Sequence, residues 1–205
     1  MASKITEKVP YEDFKRIYQV FGEKPYEEKY TEEDFQEIYE EYIKKGKIYG
    51  AYVEGRLVGI IAVTDGIKKG QPVNFGNKKV LYLSDVAVDP KFRKQGLGTR
   101  LMAYVIASGK LDQNDLIYMR TLKEGSMSAS IARKLGFKII DGIEQDVTTE
   151  SIYGTTQTKS NIFLEIDLAS LDKETLSQIL QTAQMSSEDP DLELFMEGEN
   201  IRWMK

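Results

Sequence analysis

The chain has no histidine and no cysteine among its 205 residues. Without cysteine there is no disulfide, no thiolate nucleophile and no cysteine–zinc site. Without histidine there is no Ser-His-Asp or Cys-His catalysis and no imidazole metal ligand. Any proton transfer therefore falls to a carboxylate, a Tyr, a Lys or water. Positive charge is also short. Lys and Arg number 28 against 33 Asp and Glu, a net charge of −5, which argues against a sequence-independent nucleic-acid binder, since such a protein presents a basic face. No apolar run approaches the roughly 20 residues of a membrane span, and the opening MASKITEKVP contains no signal-peptide core. These absences predict a cytoplasmic protein with no metal and with neither nucleic acid nor membrane as a partner. At 41% hydrophobic content the chain can bury one sizeable core, so one domain with an appendage is expected.

The most informative stretch is residues 80–102, VLYLSDVAVDPKFRKQGLGTRLM. Val80, Tyr82, Val86 and Val88 fall on one parity, Leu81, Leu83 and Ala87 on the other. That pattern predicts a strand buried on both faces. Asp89-Pro90 ends it, because proline cannot donate to a ladder. Gly96 and Gly98 then allow a sharp turn and close backbone approach to a ligand, directly before a helical pattern. Free N–H groups at a helix start make an anion cradle, and Lys91, Arg93, Lys94 and Arg100 surround it with no acid between them. The loop reads as a phosphate binder on an acidic chain. It is not a dinucleotide fingerprint, because Leu101 stands where the third Gly belongs. Nor is it a nucleoside-triphosphate loop, because Thr99-Arg100 follows Gly98 in place of Lys-Ser/Thr.

The pattern R-x-x-G-x-G after a strand ending Val-x-Val-Asp-Pro, joined to KLGF at 134–137, resembles the GNAT superfamily of acyl-CoA-dependent N-acetyltransferases. The resemblance covers roughly residues 4–168. It implies an α/β (α+β) fold, a mixed and splayed central sheet flanked by helices, as a domain over 1–169. Residues 170–205 are then a C-terminal helix-plus-hairpin extension. The implied order is β-α-α-β-β-β-α-β-α-β-β. The implied reaction is transfer of an acetyl group from acetyl-CoA to a primary amine of a small cationic molecule or peptide, by direct attack in a ternary complex. A second reading is a GNAT-fold module that binds acyl-CoA without catalysis, as a sensor or interaction protein.

Periodicity predicts the elements in turn. A short strand at 4–9 precedes a helix with Tyr11, Phe14, Ile17, Tyr18 and Phe21 on one stripe. A second helix starts at the N-cap Thr31 and buries Phe35, Ile38, Tyr39, Tyr42 and Ile43. The connector between them, EKPYEE at 23–28, carries acidic and aromatic groups. In the resembled family this segment lines the acceptor side, where it would suit a cationic amine. Strands follow at 47–54 and 56–64, then a long loop at 65–79, read as a lid or a surface excursion. The next helix is predicted to stop at Gly109-Lys110. A strand at 116–122 comes after it, then a short helix from Ser126 to Leu135 carrying Met127, Ile131 and Leu135, with Gly136 left-handed at its end. Strands at 138–142 and 161–168 flank a polar, Thr-rich stretch at 144–160 without clear periodicity. A helix opened by Ser170, a polar break at 186–191 and a possible hairpin (192–197 with 201–204) complete the chain. The extension holds an apolar stripe that must cover the domain's own sheet or a second copy in a homodimer.

For the chemistry, the resemblance assigns the edge of Val86, Ala87 and Val88 to the pantetheine amides. It assigns Arg93, Lys94, Gln95, Gly96, Leu97, Gly98 and Thr99 to the pyrophosphate, with Ser128 as a further cofactor contact. Ser84 and Asp85 interrupt an otherwise apolar strand, where polar groups cost about 1–3 kcal/mol unless satisfied. In the family an acidic residue near this point deprotonates the amine. Its frequent glutamate position is Ser84 here, so Asp85 beside it is either the candidate base or a structural acceptor for neighbouring backbone N–H groups. The family's thiolate-protonating Tyr, four residues before the Gly of Gly-Phe, is Ala132 in this chain, and the Asn and Ala that often precede it are Gly125 and Ser128. Tyr118 and Tyr153 are candidate substitutes.

Overall fold

The computed structural model describes residues 4–184, 194–197 and 200–203. Strand β1 (Lys4–Thr6) leads through Pro10 into α1 (Tyr11–Tyr18), whose Phe14, Ile17 and Tyr18 are buried. A 3-10 turn at Gln19–Gly22 ends it. Helix α2 (Glu32–Lys45) begins at a capping box. The Thr31 hydroxyl accepts from the Asp34 N–H, the Asp34 carboxylate accepts from the Thr31 N–H, and three acids in the first turn complement the helix dipole. Its buried stripe is Phe35 and Tyr42 with Ile38 and Tyr39 at the margins. Ile43, expected inside, is 54% exposed, because one further residue turns it about 100° past Tyr42 and off the stripe.

Strands β2 (Gly46–Val53) and β3 (Arg56–Asp65) form a hairpin, and β4 (Val80–Val88) pairs antiparallel with β3. Helix α3 (Leu97–Leu111) then crosses to β5 (Leu116–Leu122), which lies parallel to β4. Gly109-Lys110 does not stop α3. A Cβ on Gly109 would stand 3.0 Å from Ile117 Cδ1, so the glycine lets the helix lie close on β5. Next come α4 (Met127–Lys134), β6 (Lys138–Glu150), β7 (Thr156–Asp167) and α5 (Lys173–Gln184). The α4 cap is Ser126, whose hydroxyl accepts from Ala129 N–H at 3.2 Å. Met127 in its first turn is 71% exposed. Gly136 has φ +95°, the left-handed value expected after that helix. Helix α5 starts at Asp172, not Ser170, since the Asp172 carboxylate accepts from Thr175 N–H at 2.7 Å. Strands β8 (Leu194–Glu197) and β9 (Asn200–Trp203) pair as a separate antiparallel hairpin. The polar break at 186–191 lies outside the described residues, as do the outer ends of the expected hairpin.

The sheet order is β1-β2-β3-β4-β5-β7-β6, with β4–β5 the parallel pair. This is the mixed sheet that was expected. One face packs on α3, α4 and α5 through Leu101, Val105, Ile117 and Leu164, joined by Ile179 and Leu180 of α5. The other packs on α1 and α2 through Phe14, Phe35, Leu57 and Ile60. A third apolar group joins Val73, Tyr82, Tyr118 and Phe163, and here the 66–79 loop packs on the sheet. It tucks Phe75 against Tyr118 at a ring separation of 5.1 Å, and the Tyr118 hydroxyl accepts from Lys68 N–H and donates to Gln71, both at 2.8 Å. The loop thus covers a part of the sheet that α1 and α2 leave bare.

The stretch at 144–160 is the main departure. It is an extended hairpin, because β6 runs on to Glu150 and β7 begins at Thr156. Its side chains alternate between half-buried and exposed, so the period of two is present but written in Thr, Gln and Val.

Candidate active site

Two features of β4 build the site. The first is a divergence. Strands β4 and β5 pair only over Val80–Leu83 and Leu116–Met119. Beyond that point β4 stays paired with β3 up to Val88, while β5 stays paired with β7 up to Leu122. Each strand follows its outer neighbour, and the sheet's right-handed twist separates them. A wedge opens, with the inner edge of β4 at Ser84 to Val88 unpaired by β5.

The second feature is a bulge. Ala62 of β3 faces Asp85 and Val63 faces Leu83, so Ser84 has no partner. One extra residue inverts the parity of everything after it. Leu81 and Leu83 belong to the α3 side, and after the bulge Val86 and Val88 pack on that same side. Ala87 joins the α1–α2 core instead. The uninterrupted alternation expected from the sequence is therefore corrected, and the inversion carries Asp85 to the face of the α1 and α2 tyrosines. Asp85 Oδ2 accepts from the Tyr18 hydroxyl at 2.8 Å and from the Tyr42 hydroxyl. Burial, reinforced by the Asp85 charge, pushes both phenols up, so they remain donors. The Ser84 hydroxyl is buried and has no hydrogen-bond partner among the described residues.

A cavity of about 290 Å³ lies at this wedge. Ser84, Asp85 and Val86 line it, as does Ser128 of α4, so the two expected catalytic positions and two of the expected cofactor contacts come together. Of the rest of its wall, only the connector at 23–28 was expected from the sequence. Tyr26 and Glu28 enter from the connector, Glu41 from α2, Arg120 from β5, and Val147, Thr149 and Lys159 from the β6–β7 hairpin. The hairpin tip is tied to the connector. Ile152 N–H donates to Glu27 O at 2.9 Å, Lys29 N–H to Glu150 O at 3.1 Å, and the Gln157 amide to Tyr26 O at 2.9 Å. The acid–aromatic run at 23–28 was the only signal in the sequence for this side of the cavity.

The ionisable groups in the cavity perturb one another. Burial raises Glu28 above the ordinary glutamate range, a hydrogen bond from Tyr30 pulls it back in part, and Asp85 pushes it further up. Lys159 and Arg120 are close enough to oppose the rise. Burial lowers Lys159, against the charges of Glu28 and Glu27. The Tyr26 phenol is raised by burial, while hydrogen bonding to Ser128 acts the other way.

On the far side of the wedge, α3 starts with Gly96 at φ +80°, a left-handed conformation that glycine alone adopts freely. Lys94 is also left-handed, at φ +62°. Lys94, Gln95 and Gly96 are exposed, Gly98 and Thr99 half-buried, and Leu97 anchors the turn in the core. Gly98 serves packing as well, since a Cβ there would lie 3.2 Å from Ile131 Cδ1 of α4. Arg93 does not extend freely toward a ligand. Its Nε donates to Val88 O at 3.1 Å and its Nη2 to Glu23 at 3.3 Å, clamping the end of β4 to the connector. The substitute acids named from the sequence are not at the wedge. The Tyr118 hydroxyl is engaged by the 66–79 loop and raised to about 12 by burial. Tyr153 is 71% exposed at the hairpin turn. Ala132 is fully buried.

A strand with a free inner edge, a bulge that aims a carboxylate at the wedge and a left-handed glycine at a helix start together define an acyl-transferase type of fold. The sequence pattern of the acetyltransferase (GNAT) family matches residues 11–137, and the chain belongs to that family. No curated protein matches it. Solved structures share the fold at low identity. An N-acetyltransferase from Staphylococcus aureus Mu50 superposes with a TM-score of 0.61 at 15% identity, covering 82% of this chain and 99% of that one. The ribosomal-protein-S18-alanine N-acetyltransferase of Escherichia coli gives 0.60 at 10% identity, with coverages of 83% and 97%. A Bacillus subtilis acetyltransferase in complex with CoA gives 0.53 at 18%, with 81% and 97%.

Proposed function

We propose that the protein transfers an acetyl group from acetyl-CoA to a primary amine. The single observation that carries this reading is the wedge itself, where an unpaired inner edge of β4 adjoins a cavity holding Asp85 and Glu28. Family membership and the CoA-bound B. subtilis structure of like fold support it. The residues fit the co-substrate. The partnerless Ser84 hydroxyl lies at the wedge, and the N-terminal N–H groups of α3 lack intrahelical acceptors. The pyrophosphate would rest on residues 94–99, with Lys94 beside it, and the pantetheine arm along Val86 to Val88. When bound, the co-substrate supplies a thioester-activated acetyl group.

This chain's residues supply the rest. An amine with an ordinary pKa of roughly 10 must lose a proton before it attacks. Asp85, whose Oδ2 is held by two phenols, steadies the entering ammonium. Glu28, raised above the ordinary glutamate range by burial, is the proton acceptor. Ser84 offers a hydroxyl where negative charge develops. The position of the missing tyrosine is closed by Ala132, and the protein tolerates this because a thiol of pKa roughly 8.5 is a fair leaving group without a proton donor.

The test is release of free thiol from acetyl-CoA in the presence of an amine panel, with acetylated product detected by mass spectrometry. Thiol release that depends on an amine supports the reading. Tight CoA binding without acetylation of any amine would replace it with a non-catalytic acyl-CoA-binding module.

A further inference from the structure

The acidic connector led to the expectation of a cationic acceptor, yet the cavity is not uniformly acidic. Asp85 of β4, Glu28 of the connector and Glu41 of α2 share it with Arg120 of β5, Lys159 of β7 and Lys68 at the margin. Arg120 and Lys159 differ from most cations of this sheet and its neighbours. Lys29, Lys78 and Lys123 each pair with a carboxylate at 2.8–2.9 Å on the outside. Among the described residues Arg120 and Lys159 form no such pair. Arg120 Nη1 donates only to the amide oxygen of Gln145 at 3.3 Å, and Lys159 Nζ donates to the backbone oxygen of Tyr26. Both are half-buried and face the cavity. Glu28 acts on both through the cavity without an ion-pair contact, so their donor N–H groups are left open to an anionic ligand at closer range.

We infer that the amine acceptor also carries a carboxylate, which Arg120 and Lys159 hold while its ammonium faces Asp85 and Glu28. This rests on the acetyltransfer reading and narrows its acceptor to a zwitterion. The planar guanidinium of Arg120 matches the two oxygens of a carboxylate. Lys159 adds a second charge from the hairpin, on the same wall, because Lys159 pairs with Val147 and both line the cavity. One ammonium and one carboxylate add no net charge to a cavity whose acids and bases balance. A phosphate dianion would leave it negative, and a diamine would set a second ammonium against Arg120.

The experiment compares kcat/KM of the full chain for straight-chain ω-amino acids, amino alcohols, diamines and aminoalkyl phosphonates of matched length. The amino acids are expected to exceed the amino alcohols by about tenfold or more, the effect of one charge-assisted pair. In Arg120→Met that ratio is expected to fall to near one, and Arg120→Lys is expected to restore part of it. Lys159→Met, on the half-exposed hairpin, reads the same ratio should Arg120→Met fail to fold. Equal or better use of diamines or amino alcohols overturns the inference, as does a preference that survives both Met variants. A preference for phosphonates overturns the carboxylate assignment. In each of these cases acetyl transfer still occurs, so the proposed reaction stands. Acetylation of no amine, with CoA still bound, removes the reaction and the inference together.

Discussion

Tyr18 donates its phenolic proton to Asp85 Oδ2 at 2.8 Å, across 67 residues of sequence. This bond ties α1 to the bulged strand, and the Tyr42 hydroxyl reaches the same oxygen from α2. The three groups link both helices to the point where the wedge opens. Removing one donor leaves a part-buried carboxylate less satisfied. Tyr18→Phe is expected to lower unfolding stability by about 1–3 kcal/mol, read by urea denaturation. A variant as stable as the parent would show that the bond is not structural.

Glu28→Gln keeps the shape and removes the proton acceptor. Turnover is expected to fall roughly 10²–10⁴-fold with CoA affinity unchanged, while Asp85→Asn chiefly raises KM for the amine. Steady-state kinetics beside calorimetric CoA titration make the distinction. If Asp85→Asn alone takes the large loss in kcat, the two roles are exchanged.

The pH dependence follows from the raised pKa of Glu28, which Tyr30, Asp85, Lys159 and Arg120 face. Activity needs the ionised form, so kcat/KM should rise with pH through a midpoint above the ordinary glutamate value of about 4.3. The stability term has the opposite sign. A raised folded-state pKa means that the fold prefers neutral Glu28, so this contribution is present below the unfolded pKa and is lost as pH rises through the folded one. Glu28→Gln should abolish the activity limb and remove that term. A limb unchanged in the variant assigns it to another group.

Gly96→Asp places a side chain at φ +80° and adds a negative charge beside the proposed pyrophosphate site. CoA affinity is expected to weaken by at least about tenfold, on the scale of one lost charge-assisted bond of ~1.5–3 kcal/mol. Gly96→Asn, which tolerates the left-handed region better, should weaken it less. Unchanged affinity in both variants would remove the loop from the binding site.

Truncation after Ala169 removes α5, which lays Ile179, Leu180 and Ala183 on the α3 side of the core. Each large apolar side chain so buried contributes about 1.5–3 kcal/mol. The shortened protein is expected to melt at lower temperature while retaining CoA affinity. Light scattering checks whether the bared α3 face then self-associates. A truncated form of equal melting temperature contradicts structural packing by α5.

Most of the fold was legible because its signals are local. The Asp89-Pro90 stop, the glycine turn at Gly96, the Thr31 N-cap and the Gly136 terminus are each set by a residue's own backbone preferences. The strand at 116–122 and the apolar stripe of α1 follow from periodicity in the same way. Errors came where a residue's local meaning and its packing role differ. Gly109 looks like a stop, but it is a point of close approach to Ile117. Ile43 is apolar and yet turns outward.

What the sequence by itself determined is the strand–loop–helix unit at 80–108 and the order of elements around it, since turn chemistry and burial pattern act over a few residues. Only the tertiary structure decided where the chemistry points. The Ser84 bulge depends on how β4 registers against β3, and no local preference of Ser84 announces it. The hairpin at 144–160 is held by strand pairing and by bonds such as Gln157 to Tyr26 O, 131 residues away, so its polar composition hid it. Glu28, Arg120 and Lys159 meet because the connector, β5 and β7 converge on one cavity. Their charges become informative only there, where partial burial strengthens each one's action on the others.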